Sequence, residues 1–288
     1  MHDKRYSTTR RLTTERPDCF DAPIDGVSTL LKTSGSDQKI AEGGLRLRES
    51  YKSSSDDKPL ITVVTVVFNG VAHLEDTIQS VIGQTYDNVE YIVVDGGSKD
   101  GTLDIIQKYG HAIDYWVSEP DKGIYDAMNK GIDLGSGDWI NFMNAGDKFF
   151  DSKTIAYLED IFNENYGLIY GDMLKNGFFV KSYPEEFLKY GIIHACHQSI
   201  FFNLSLIKSL YFRYNLTYKI YGDYDLVARI YKLGYFLKKI DRPISIFQDG
   251  GVSSNISRQK RRDKYISLYK NFGVYWVFRA VIYRFFKV

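Results

Sequence analysis

The chain is short of cysteine, of long apolar runs and of net charge, and each shortage removes a class of protein. Its only two cysteines, Cys19 and Cys196, form neither a metal-spaced pair nor a disulfide scaffold, which suits a reducing compartment. No stretch reaches the roughly 18 consecutive apolar residues of a membrane span. Residues 1–14 are polar where a secretory signal would be apolar, so a cytoplasmic site is expected. The formal net charge of +1 gives no basic excess for tracking phosphates, so nucleic acid is not an expected partner. Two phosphate-binding signatures are also missing. The first strongly apolar segment is followed by Phe68-Asn69-Gly70-Val71-Ala72-His73 rather than Gly-x-Gly-x-x-Gly, and there is no P-loop. A diphosphate ligand would need another charge partner, most economically a divalent cation.

What remains is 44% hydrophobic and 15% aromatic, enough to bury the core of one large α/β domain or two small ones. Residues 1–58 are rich in Ser, Thr, Asp, Lys and Arg without a sustained period, and read as a flexible leader. At residue 60 the texture changes to a β-branched run without charges over 60–67, as expected of a strand buried on both faces. Leu74, Ile78, Val81 and Ile82 recur at helical spacing, and a second apolar strand follows at 91–94. Helices near 101–109 and 124–134 then alternate with strands at 113–117 and 139–143, the pattern of a doubly wound, mainly parallel sheet. Such sheets bind ligands at the carboxyl ends of their strands. The donor half spans about 59–150. The half from 151 to 254 is less regular, with a helix near 153–163, short strands at 168–173, 178–182 and 199–202, a helix near 223–233 and a strand at 235–239.

Three constellations carry chemistry, each beside a plainer reading. Asp95-Gly96-Gly97-Ser98 joins a buried strand to a helix: Asp95 can accept from a base or ribose and Ser98 can cap the helix, or the loop is an ordinary turn. Asn144-Ala145-Gly146-Asp147 ends a central strand; its one carboxylate suffices for a cation that takes its other ligands from phosphate and water, or it too is a turn. Asp223 opens a helix, either as a positioned base or as a cap.

Taken in order, these segments resemble glycosyltransferase family 2, whose nucleotide-binding fold is called GT-A. The resemblance covers roughly 59–254. It is carried by Val67-Phe68-Asn69, by Ser80-Val81-Ile82-Gly83-Gln84-Thr85, by Val94-Asp95-Gly96-Gly97-Ser98 with Asp100-Gly101-Thr102, and by Asp121-Lys122-Gly123-Ile124-Tyr125-Asp126-Ala127-Met128-Asn129-Lys130-Gly131. It implies an inverting, single-displacement transferase of the bacterial cell-surface polysaccharide type, moving a sugar from a nucleotide-sugar donor to a lipid-linked or glycan acceptor. It further implies donor contacts at Phe68, Asn69, Asp95, Lys122, Asn129 and Asn144, with a Mg2+ or Mn2+ ion on Asp147. Asp223, in Tyr221-Gly222-Asp223-Tyr224-Asp225, takes the role of general base, and acceptor contacts fall to His197, Gln198 and Arg229. Phe247-Gln248-Asp249-Gly250-Gly251-Val252-Ser253 resembles a late loop that closes over the donor. Two departures stand out. Many members carry Asp-Asp-Gly-Ser where this chain has Asp95-Gly96-Gly97-Ser98, and the metal motif, usually with more acidic residues, keeps only Asp147. Metal dependence is expected to be weak for that reason.

From 256 to 288 there are nine Lys or Arg against one Asp, interleaved with nine aromatics. This mixture suits a helical tail lying on an anionic membrane surface, which would make the enzyme peripheral at the inner face of the cell membrane; the alternative is a helix packed on its own domain. Two competing functions stand beside the transferase: a sugar nucleotidyltransferase, which would want a Gly-rich basic loop after the first strand, and a catalytically silent nucleotide-sugar-binding protein.

Overall fold

In the computed structural model, which describes residues 4–17, 39–162, 166–192, 195–248 and 257–286, the chain opens with β1 (Ala41–Gly43) and β2 (Ile61–Val67). Next come α1 (Leu74–Ile82), β3 (Val89–Asp95), α2 (Thr102–Lys108), β4 (Tyr115–Ser118), α3 (Ile124–Leu134) and β5 (Trp139–Phe142). The second half supplies β6 (Lys148–Phe149), β7 (Tyr166–Lys175), β8 (Phe178–Val180), β9 (Ile200–Asn203), α4 (Leu204–Ser209), α5 (Gly222–Lys232) and β10 (Phe236–Phe247). Two helices close it, α6 (Ser257–Phe272) and α7 (Val274–Phe286).

All strands join one sheet in the order β1-β4-β3-β2-β5-β9-β7-β10-β6, with β8 on β7. Its nucleus, β4-β3-β2-β5, is wholly parallel, and every residue of β2 and β3 is buried because helices cover both faces. Helix α1 turns Leu74, Thr77, Ile78, Val81 and Ile82 inward at helical spacing. Helix α3 lies closest where Gly131 meets β2: a Cβ there would stand 2.5 Å from the Val64 side chain. The second half extends this sheet through antiparallel β9, so the two halves share one sheet. Register pairs Val67 with Asp95 and Asp95 with Ser118, which lines up the carboxyl ends of β2, β3 and β4 along one edge. Nearby, Ala145 N–H reaches the Val66 carbonyl at 3.2 Å, bringing the loop after β5 to the same edge.

Three expectations change. The described parts of residues 1–58 are no solvated leader: β1 pairs with β4 as an edge strand of the sheet, Leu45 is buried, and the Ser7 amide donates to the Ile82 carbonyl at 2.8 Å. The charges that suggested solvation find buried partners instead, Arg46 on Glu90 of β3 and Lys52 on Asp114. Residues 18–38 lie outside the described residues. The helix expected near 153–163 is a 3-10 segment over Ala156–Ile161, where Ile155, Leu158 and Phe162 turn into the core. The strand expected at 235–239 runs on to Phe247, its pairing to β7 slipping around Pro243.

The tail is helical as expected. Helix α6 packs on α5 and on the turn Glu185–Tyr190, burying Asp263, Ser267 and Leu268, and α7 packs on the same turn. That satisfies the packed alternative on one face. The other face of α7 leaves Val274, Tyr275, Phe278 and Phe285 exposed.

Candidate functional site

The carboxyl edge of β2, β3 and β5 gathers most of the expected residues, with roles redistributed. Phe68 is exposed and Asn69 takes a positive φ of 50°. Its amide N–H donates to Ser98 Oγ at 2.7 Å while its side-chain oxygen accepts the Lys99 N–H at 3.0 Å. These bonds knit the loops after β2 and β3 into one wall. Ser98 therefore holds Asn69 and Asp95 rather than capping α2.

Asp95 is fully buried and its carboxylate is engaged by its own chain. It accepts from the Gly97 and Ser98 amides (3.2 and 3.1 Å), from Ser118 Oγ at 2.6 Å and from Ser98 Oγ. It organises the loop, and the carboxylate that stands open beside it belongs to Asp121, which sequence reasoning left inside a longer motif. A Cβ on Gly96 would lie 2.5 Å from Asp121 Oδ2 and 3.3 Å from the Phe68 ring. The space that a second acidic residue at position 96 would enter is thus filled by a carboxylate from the loop after β4. That substitution in space could not be seen without the fold.

Two expected contacts turn away from the edge. The Asn129 amide is occupied on both sides by the main chain of Tyr214, donating at 2.9 Å and accepting at 2.7 Å, so it ties α3 to the segment before α5. Arg229 sits on the second turn of α5, pairing with Asp225 at 3.0 Å and donating to the Arg213 carbonyl at 2.6 Å. Lys122 is exposed on the loop before α3.

The remaining five converge. Asn144 Nδ2 lies 2.7 Å from His197 Nε2, and His197 Nδ1 lies 2.9 Å from Asp223 Oδ2. One tautomer satisfies both contacts: the Asn144 amide donates to Nε2, and Nδ1–H donates to the carboxylate. Burial works against the imidazolium, but the charge and hydrogen bond of Asp223, with the charge of Asp147, outweigh it and hold the His197 pKa above the ordinary value. Asp223 bonds no helix N–H, so the capping alternative is not what this carboxylate does; its second oxygen, Oδ1, is buried without a partner. Beside it, Gln198 Nε2 donates to Asp147 Oδ2, and the Gln248 amide donates to Asp147 Oδ1 at 3.1 Å. Burial raises the Asp147 pKa, and these two bonds partly oppose the rise. The amide oxygens of Asn144 and Gln198 are also buried and unpartnered. Cys196, next to His197, is a free thiol pushed up to about 12 by burial and by Asp223 and Asp147. Residues 249–253 of the late loop lie outside the described residues.

Among the described residues no three His, Cys, Asp or Glu side chains form a set that could hold a metal ion. With both Asp147 oxygens receiving N–H donors, the loop does not fit a resident ion. Hard cations do take carboxylate and amide oxygens, and Mg2+ is commonly held by one carboxylate plus substrate phosphates. Asp147 is the carboxylate this loop offers.

A family model described as "Glycosyl transferase family 2" matches residues 62–211, which contain every expected site residue except Asp223 and Arg229. The chain belongs to glycosyl transferase family 2. A "PGL/p-HBAD biosynthesis glycosyltransferase" of Mycobacterium bovis is 30% identical over 156 residues, covering 51% of this chain and 60% of that protein. An uncharacterized glycosyltransferase of Mycobacterium tuberculosis is 40% identical over 99 residues, covering 34% of this chain and 38% of its own length. The chain thus spans at most about three fifths of these relatives. Among solved structures, TarS 1-349 of S. aureus in complex with UDP superposes with a TM-score of 0.59 at 15% identity, over 80% of this chain and 72% of that one. A mannosyltransferase from Pyrobaculum calidifontis in complex with GDP-Man and Mn2+ superposes at 0.57 with 18% identity, over 76% and 64%. At these identities the likeness establishes the fold, a GT-A type α/β sheet.

Proposed function

We propose that this family 2 protein is an inverting glycosyltransferase that moves one sugar from a nucleotide-sugar donor onto a hydroxyl of a lipid-linked or polysaccharide acceptor at the cytosolic membrane face. The observation that carries the reading is Asp223: a buried carboxylate with one oxygen held by His197 and the other free, at the strand-end edge where α/β sheets bind ligands. The acceptor hydroxyl donates to Asp223 Oδ1 and loses its proton there as its oxygen attacks the anomeric carbon. The bond from that carbon to the diphosphate breaks, and the nucleoside diphosphate leaves with the electron pair.

His197 keeps the Asp223 carboxylate aimed, and Asn144 fixes the tautomer that does so. Phe68 offers an exposed ring to the base, and Asp121 takes the base-facing place left vacant by Gly96. Lys122 offsets charge on the leaving group. A divalent cation, when bound with the donor on Asp147, would neutralise the diphosphate. UDP and GDP-Man occupy the structural neighbours named above, which supports a nucleotide-sugar for this chain without choosing the base.

The membrane placement is supported by the tail, whose α7 keeps an apolar row outside. No helix among the described residues is long and apolar enough to cross a membrane.

The test is a thermal-shift panel of UDP-, GDP- and dTDP-sugars with and without Mn2+, followed by nucleoside diphosphate release. One donor should raise the melting temperature and be slowly hydrolysed. Stabilisation without release would point to a silent binding protein, and pyrophosphate exchange to a nucleotidyltransferase. Asp147→Ala should remove the metal-dependent part of the shift; an unchanged metal response would overturn that assignment.

A further inference from the structure

A cleft of about 520 Å3 opens at the carboxyl end of α5, away from the catalytic edge. Asp223 stands at the amino end of α5 and Lys232 is its last residue, so at about 1.5 Å per residue the two are roughly 13 Å apart along the axis. Four cations line the cleft: Arg213, which pairs with Asp133, Arg229, which pairs with Asp225, and the lysines Lys232 and Lys270. The lining carboxylate, Asp225, is already engaged by Arg229 and by Ser267 and Asn271, at 3.0, 2.9 and 3.1 Å. The Arg229 guanidinium is also fixed over the Phe212 ring, 4.7 Å from its centroid, so it loses little freedom on meeting an anion. Lys232 and Lys270 are exposed and form no ion pair among the described residues.

Exposed apolar residues follow the cleft's charges in the chain. Leu233 lines it and is half exposed, and Phe236 stands 72% exposed three residues later. On the other side, Lys270 and Asn271 immediately precede the turn at Gly273, whose φ of 85° redirects the chain into α7. From that turn α7 exposes Val274, Phe278 and Phe285 along one face while Ala280 is buried on another. A basic cleft beside a helix with an outward apolar row matches an amphiphile that carries phosphate at the end of an acyl chain, and a free anion would have no use for the row.

We propose that this cleft binds the phosphate headgroup of an anionic membrane lipid, holding the protein in one orientation with the α7 row among the acyl chains. The proposal rests on the membrane reading of the tail and adds a site to it. The experiment is co-sedimentation of the full chain with vesicles of phosphatidylcholine alone and of phosphatidylcholine with phosphatidylglycerol. The parent should bind the anionic vesicles only. Lys232→Gln with Lys270→Gln should weaken that binding by about 25-fold, at about fivefold per lysine near such a surface. Lys108→Gln with Lys153→Gln, exposed lysines elsewhere, should leave it unchanged. Phe278→Ser with Phe285→Ser should weaken the part of the binding that survives added salt.

If the cleft pair binds like the parent while the α7 pair fails, the cleft proposal is overturned and the tail reading stands. If the parent sediments with neither vesicle, both fall. Release of the parent by a few millimolar inorganic phosphate, at constant ionic strength, would make the cleft a site for a soluble phosphate and overturn the lipid assignment. An equal loss from the distant lysine pair would reduce the effect to net charge and overturn it too.

Discussion

The amino-terminal arm and the carboxyl-terminal tail look alike as sequence, both rich in charge, yet they use that charge in opposite ways. The arm buries its cations against carboxylates of the sheet: Arg46 on Glu90, and Lys52 on Asp114. The tail buries Asp263, Ser267 and Leu268 and keeps Lys270 and Arg279 outside. The same division runs through the site, where Asp95 is saturated by four donors of its own chain while Asp223, Asn144 and Gln198 each retain a free buried oxygen. Saturated groups build the scaffold. Groups left open, at the edge or in the cleft, are the ones that can meet a ligand.

The largest effect is expected at the buried ion pairs of the arm. Arg46→Ala should destabilise the fold by about 3 to 5 kcal/mol, the usual cost of stranding a buried partner, as read by urea denaturation. Burial pushes the Glu90 carboxyl up, but the Arg46 charge and the hydrogen bonds from Ser136 and Thr62 outweigh it and hold it down at about 2. A depressed carboxylate contributes stability above its unfolded value, and loses it as pH falls through the folded one. The gap between parent and variant should therefore be full above pH 4.5 and close as pH falls toward about 2. A gap below 1 kcal/mol at pH 7 would return the arm to a loosely held leader.

Next in size is the open carboxylate. Asp223→Asn should cut turnover by roughly 10²-fold or more while leaving donor affinity nearly unchanged, since the amide cannot take the proton. Near-parental turnover in the folded variant would reassign Asp223 to structure. His197 tests the same pair from the other side. His197→Ala should lower kcat roughly tenfold with acceptor KM unchanged, and His197→Gln, which can still donate to Asp223, should lose less. A rise in acceptor KM instead would make His197 a direct acceptor contact.

How far the sequence reached follows the same line. The strands β2 and β3 and the helices α1 and α3 were legible because a charge-free β-branched run and a 3.6-residue period are local signals. The edge strand β1 was not, because Arg46 and Lys52 find carboxylates 44 and 62 residues away and nothing local marks the pairing. At the site, Asn144, Asp147, His197, Gln198 and Asp223 were each expected and do converge. Asn129 and Arg229 stand beside those motifs in the chain but face Tyr214 and Asp225, since adjacency in a motif says nothing about which way a helix turns a side chain. Asp121 was missed as an individual because its place beside Gly96 depends on two loops meeting in space.

That meeting sets the smallest and most specific test. Asp121 Oδ2 occupies the volume that a side chain on Gly96 would enter, while Asp121 Oδ1 accepts the Gly123 N–H at 2.7 Å. If Asp121 faces the nucleobase, Asp121→Ala should weaken donor affinity by roughly fivefold, the scale of one hydrogen bond of about 1 kcal/mol, with kcat nearly unchanged. Preference among UDP-, GDP- and dTDP-sugars should relax with it. Gly96→Asp alone should be no better than the parent, because its Cβ would crowd the Asp121 carboxylate at 2.5 Å. Combined with Asp121→Gly it moves the carboxylate to the neighbouring loop and clears the space, and donor affinity should recover toward the parent. Recovery in the double variant and not in either single change is the signature of one carboxylate serving one position from two possible loops. If the double variant binds donor no better than Asp121→Ala, or if Asp121→Ala binds like the parent, Asp121 only shapes the loop before α3, and base recognition rests on the Phe68 wall.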